Sequence, residues 1–259
     1  LFRRNMNLET YGAVNQTHRN LLTTTGKYRF VPTTEALHVL AQHGWVPVRV
    51  QQARVKKPES QGYQQHAVWL ESETLTAQLR VGDKVIPRVL LRNSHGGDAS
   101  FRLLPALLEK VCANGLVVSR PAGDFRIRHV GFAAWKVAAA IHSIAQNAPQ
   151  TLETRNRWEG LFLDVAEQVR FAKEAVDLRW DRTTTVEPWE LLHFRPEQSD
   201  GSLWSLFNAV QEALIRGKVP FRRRDGSQGM SRAVNGIDQV VSINQGLWRL
   251  AEETARAMR

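Results

Sequence analysis

Three short runs between Trp45 and Ser94 constrain the fold more than any other feature. In "WVPVRVQQ", Val46, Val48 and Val50 alternate with Pro47, Arg49 and Gln51, so a strand here has one apolar and one polar face. In "YQQHAVWLES", His66, Val68 and Leu70 share a face opposite Tyr63, Ala67 and Trp69. "KVIPRVLLRNS" is a third run, where Pro87 points to an edge position or a bulge. The connectors "PESQG" and "LTAQLRVGD" are short enough for hairpins, so the three runs predict an antiparallel meander.

Helical periodicity surrounds this meander. "FVPTTEALHVLAQHGW" predicts a helix with Thr33 as N-cap, Ala36, Leu37, Leu40 and Ala41 on one face, and Gly44 as its stop. "DASFRLLPALLEKVCANG" reads as a second helix capped by Asp98 or Ser100, with Leu104, Leu107, Leu108 and Val111 as its stripe and Gly115 as its end. "GLVVS" and "DFRIRHVG" read as short strands. Beyond Gly131 the chain turns helical: "FAAWKVAAAIHSIAQ", then a long segment carrying Leu161, Val165, Ala172 and Val176. Two more helices follow, one with Trp204, Phe207, Val210 and Leu214 and one with Ile237, Val240, Val241, Leu247, Trp248 and Ala251. The fold class expected is α+β: a three-stranded antiparallel meander followed by a helix, short extra strands and a helical C-terminal portion. The expected organisation is a polar arm over residues 1–27, an α+β core over 28–131 and a helical portion over 132–259 packed on it.

The charge balance narrows function. Among 259 residues, 35 Lys and Arg face 25 Asp and Glu, a net charge of +10, which suggests a polyanionic partner and most often nucleic acid. With 42% hydrophobic and 23% charged residues the chain reads as globular, and its apolar stretches are too short and too interrupted to cross a bilayer. Cys112 is the one cysteine, so an internal disulfide and a multi-cysteine zinc site are excluded. With no secretory segment at the start, this fits a cytoplasmic protein. Phosphate-loop, dinucleotide and zinc-protease signatures are absent. "HGGD" at His95–Asp98 has no accompanying nucleophile elbow, and the eight histidines are dispersed. No cofactor and no metal are expected.

What stands out is basic residues with aromatic neighbours. Lys84, Arg88 and Arg92 have the same parity and would line one strand face at intervals of about 13 Å. Arg49, Tyr63 and Trp69 belong to the polar faces of their own strands, and Arg54, Lys56 and Lys57 follow the first strand. Stacked in a meander, these positions predict arginines that neutralise phosphates and rings that stack on unpaired bases, the means of holding single strands without reading sequence. The Gly96–Gly97 turn is primarily structural, with Arg92, His95 and Arg102 able to reach a nucleic acid beside it. Arg126 and Arg128 share a further strand face, and Arg222, Arg223 and Arg224 form a basic loop that could clamp a backbone.

Several segments carry a resemblance: "YRFVPTTEALHVLAQHGW", "LLRNSHGGDASFRLLPALLEKVCANGLVV" and "GLWRLAEET". Together they resemble the phage/plasmid-like family of unknown function (domain of unknown function nine-thirty-two), common on bacteriophages, plasmids and integrative elements. The order of elements is also similar to the core of single-strand annealing proteins of the Rad fifty-two type and some phage recombinases, which bind single-stranded DNA in a groove and assemble into rings or filaments. That similarity implies a single-stranded DNA binding and annealing protein of a mobile element, acting as a homo-oligomer. The rival expectations are an adaptor or inhibitor that engages an acidic protein and, less favoured because the acids are dispersed, a metal-dependent enzyme acting on nucleic acid.

Overall fold

The computed structural model describes residues 6–79, 85–109, 116–117, 125–127, 133–196 and 199–258. In chain order the elements are α1 (Thr33–Gln42), β1 (Val46–Gln52), β2 (His66–Glu71), α2 (Glu73–Gln78), β3 (Val85–Asn93), β4 (Phe101–Glu109), β5 (Leu116–Val117) and β6 (Phe125–Ile127). There follow α3 (Ala134–Glu159), α4 (Val165–Val176), β7 (Thr184–Thr185), α5 (Leu203–Arg216), β8 (Pro220–Arg223), β9 (Gln228–Met230) and α6 (Ile237–Ala257). The chain divides into two compact units, Leu1–Lys110 with Arg120–Ala148 and Val111–Ser119 with Pro149–Arg259.

In the first unit β1, β2, β3 and β4 pair in sequence order, all antiparallel, and β6 pairs with β4. Val68, Leu70, Val89, Leu91, Phe101 and Leu103 form one sheet face. They make a core with Ala36, Leu37 and Leu40 of α1 and with Val137, Ala140, Ile141 and Ile144 of α3. The β-branched and leucine side chains on this face leave water together, and that burial is the main driving force for the unit. The segment before α1 also packs down: Ala13 and Val14 are buried, and the Ala13 N–H donates to Gln52 Oε1 at 2.8 Å.

The α+β class, the antiparallel meander and the helical C-terminal region stand as expected. The element after the third strand differs. Where a helix over Asp98–Gly115 was expected, Phe101–Glu109 is the strand β4. Phe101 and Leu103 are buried on one face while Leu104 and Ala106 are buried on the other. A strand covered on both sides shows no alternation, and its apolar run cannot be told from a helical one by period alone. Neither Asp98 nor Ser100 caps a helix. Thr33 is also not the N-cap of α1. Pro32 holds that place, and Thr33 is the first helical residue with its side chain buried. Pro87 is tolerated in β3 because the β2 ladder ends at Arg88, leaving Pro87 a strand neighbour only on the β4 side in these ladders.

In the second unit α5 is buried over most of its surface, and Trp158, Trp204, Phe207 and Trp248 form an aromatic cluster. The long helical segment expected after Thr151 breaks at Gly160. Asp164 and Glu167 then form a reciprocal capping box that starts α4. Conversely, α3 runs on through Pro149 rather than ending before it. The basic stretch after Gly217 is a hairpin: β7, β8 and β9 form a small antiparallel sheet.

Candidate nucleic-acid interface

Strand register decides which side chains share the second face of the large sheet. One row runs Gln51, Ala67, Arg92, Arg102, Arg126 across β1, β2, β3, β4 and β6. The next runs Arg49, Trp69, Leu90, Leu104, and a third Glu71, Arg88, Ala106. Arg49, Arg88, Arg92, Arg102 and Arg126 therefore lie on one face: Arg88 and Arg92 share it by the parity expected, and Arg102 joins it because Phe101–Glu109 is a strand and not the expected helix. Lys84 and Arg128 lie outside the described residues.

Sharing a face does not make these arginines equally available. Arg49 and Arg126, on the outer strands, are exposed. Arg102 is half-buried, while Arg92 is only 6% exposed. The Arg88 guanidinium forms an ion pair with Glu71, with Nε donating to Oε1 at 2.6 Å, and its side chain is 13% exposed. Trp69 is 4% exposed amid Leu90 and Leu104, so its ring is part of the packing and cannot stack on a base. The physical reason is the apolar middle row: Trp69, Leu90 and Leu104, three large buried side chains, exclude water between the charged positions. Among the described residues of this unit the exposed cations are Lys27, Arg29, Arg49, Arg54, Lys56, Lys57 and Arg126.

His95 is buried too, which removes it as a direct contact to nucleic acid. Instead "NSHGGD" is the centre of a buried polar network. The Thr33 hydroxyl donates to His66 Nε2 at 2.7 Å and accepts from Asn93 Nδ2 at 2.9 Å. Asn93 Nδ2 also donates to the Val31 carbonyl, and Asn93 Oδ1 accepts the Ser94 N–H, each at 2.9 Å. Ser94 Oγ donates to Asp98, and the Tyr28 hydroxyl donates to the Ser94 carbonyl at 2.8 Å. The His95 N–H donates to the Tyr63 carbonyl and its carbonyl accepts the Asn20 N–H, both at 3.0 Å. The turn joining β3 to β4 thus ties the segments around Asn20, Thr33 and Tyr63 into one body. Gly97, at φ +83°, supplies the left-handed step of that turn.

This network makes the fold acid-sensitive. Burial pushes His66 down to about 4, against opposing effects of the Gln64 carbonyl and the Asp98 charge. The unfolded chain, with an imidazole near ~6.5, takes up a proton that the folded chain refuses. Stability is therefore full above that range and falls by about 1.4 kcal/mol per unit as pH drops toward the folded value. Urea unfolding at pH 7 and pH 4.5 should differ accordingly, and His66→Gln should shrink the difference; an equal difference in that variant would contradict the assignment.

In the second unit Arg222, Arg223 and Arg224 are exposed on the β8–β9 hairpin. Gly226, at φ +84°, turns the tip. Arg223 lies over the Phe221 ring at 4.9 Å, and that ring occupies the space where a side chain at position 229 would sit. The nearest acid in sequence, Asp225, accepts from the Ser227 hydroxyl at 2.7 Å and the Ser227 N–H at 2.9 Å. Those bonds, with a smaller effect of Arg223, hold its carboxyl below the usual range.

Among the described residues no three His, Cys, Asp or Glu side chains gather as a metal site, and no helix is long and apolar enough to cross a membrane. Residues 21–248 match the family described as Domain of unknown function (DUF932). Two Escherichia coli K12 proteins are similar over 228 residues: UPF0380 protein YafZ at 31% identity and UPF0380 protein YfjQ at 30%, each spanning 87% of this chain and 82% of the relative. No solved structure matches the chain, so the likeness to single-strand annealing proteins is not among the similarities found. An α+β chain with a cationic hairpin and a buried polar turn is the class defined by the fold. The chain belongs to the DUF932 family of unknown function.

Proposed function

We propose that this protein binds nucleic acid, single strands foremost, and promotes the pairing of complementary strands for a mobile element. The observation that carries the reading is the β8–β9 hairpin, where three consecutive arginines are exposed beside an acid already engaged by Ser227. Guanidinium groups displayed this way neutralise successive phosphates and leave bases free to pair. The exposed cations around β1, Arg49, Arg54, Lys56 and Lys57, and the net charge of +10 support the same partner. An oligomer, ring or filament, would extend such a surface along a strand.

Binding of a labelled single-stranded oligonucleotide across a salt series tests the reading. Each lost phosphate contact lowers the slope of log affinity against log salt by about 0.7 on a single strand. Arg222→Ala, Arg223→Ala and Arg224→Ala combined should therefore lower it by about 2. An unchanged slope would remove the hairpin from the interface. Absence of any binding at low salt, with an acidic protein retained after nuclease digestion, would favour the adaptor reading instead.

A further inference from the structure

We propose that Tyr63 is the nucleophile of a phosphodiester-transferring site with His18 as its base, a proposal that rests on the nucleic-acid reading above. The Tyr63 hydroxyl is 2.6 Å from His18 Nε2, and the two rings meet edge to face with centroids 5.6 Å apart. His18 Nδ1 is 3.3 Å from Thr17 Oγ1. In the tautomer with its proton on Nδ1, His18 donates to Thr17 and leaves Nε2 to accept the phenol proton. A nucleophile, a base in hydrogen-bond reach and a group orienting that base make the arrangement that activates weak nucleophiles. Thr17 and His18 are exposed and Tyr63 is half-exposed, so a strand can approach them.

The contact is not needed to hold its two loops together, because other bonds already do so. Asn20 Nδ2 donates to the Glu59 carbonyl at 2.7 Å, and Gln16 Nε2 reaches the Gly62 carbonyl at 3.5 Å. The His95 backbone links Asn20 on one side to Tyr63 on the other. The buried "NSHGGD" turn thereby holds a nucleophile and its base in register at the surface, 45 residues apart in the chain. The segment joining β1 to β2, which carries Tyr63, also carries the exposed Arg54, Lys56 and Lys57, whose charge suits a phosphodiester strand.

The chemistry balances without metal or nucleotide. The phenol proton passes to His18 Nε2 as the Tyr63 oxygen bonds to phosphorus. The bond from phosphorus to one sugar oxygen breaks, and that oxygen leaves with the electron pair and takes a proton from water. The strand end is then held as a phosphotyrosine, and attack by a sugar hydroxyl of a second strand reverses the step and joins the two. This would add strand transfer to strand pairing.

The test uses the full chain and an end-labelled pool of random-sequence single-stranded oligonucleotides, resolved on a denaturing gel. A labelled adduct should run with the protein, and peptide masses should place it on Tyr63. Tyr63→Phe should abolish the adduct, and binding of the same pool by the parent chain is read by anisotropy. His18→Gln should lower the rate of adduct formation by about 10²-fold, the usual contribution of a general base. Binding without an adduct, or an adduct that survives in Tyr63→Phe, overturns the nucleophile and leaves the binding reading intact. Failure of the wild-type chain to bind the pool at all overturns both.

Discussion

Asn93→Ala is expected to lower the stability of the fold by about 3–4 kcal/mol, read by urea unfolding at neutral pH. The Asn93 amide satisfies three buried groups at once: the Val31 carbonyl, the Thr33 hydroxyl and the Ser94 N–H. Losing a partner leaves each of them desolvated, at about 1 kcal/mol or more apiece. The small cavity adds to this, since methylene-sized voids in a close-packed interior are felt. The loss should spread, because Thr33 also bonds His66 and the next two residues tether Tyr28, Tyr63 and Asn20. A change below about 1 kcal/mol would mean that water fills the site and satisfies the same groups.

Trp158→Ala should cost about 3–5 kcal/mol, by removing a fully buried indole of the second unit and opening a void. Its centroid lies 4.5 Å from that of Trp248, 5.8 Å from Phe207 and 6.4 Å from Trp204. Trp158→Phe should be much milder. It keeps a ring in the cluster and deletes an indole N–H that is buried without a hydrogen-bond partner among the described residues. Equal losses in the two variants would show that the indole itself, rather than the volume removed, sets the cost. Thermal unfolding of both variants against the parent chain decides between these outcomes.

The sequence made some of this legible and hid the rest for identifiable reasons. β1, β2 and β3 were legible from short β-branched runs with turn residues between them, and α5 and α6 from apolar residues at helical spacing. β4 was not, because apolar side chains are needed on both its faces and leave no alternation to read. The parity of Arg49, Arg88 and Arg92 placed them on one face. Whether they meet water depends on the Glu71 partner and on Trp69, Leu90 and Leu104 filling the middle row, which no local pattern encodes. The charged run Arg222–Arg224 was visible as charge, but its hairpin depends on pairing with Thr184, Thr185 and Gln228 at a distance in the chain. His18 and Tyr63 were the least legible pair, since they meet through the bonds of Asn20, Gln16 and His95 to the distant segment around Tyr63.

The interleaved division of the chain also sets an order of events during synthesis. The first unit needs Arg120–Ala148 as well as the N-terminal stretch, and Val137, Ala140, Ile141 and Ile144 cover part of its sheet. While the ribosome is still translating those codons, Val68, Leu70, Val89 and Leu91 have no α3 to lie against, and an uncovered leucine- and valine-rich sheet is a template for unwanted association. The nascent protein is therefore most vulnerable after β4 has emerged and before α3 has, a window in which a chaperone would have the most to protect.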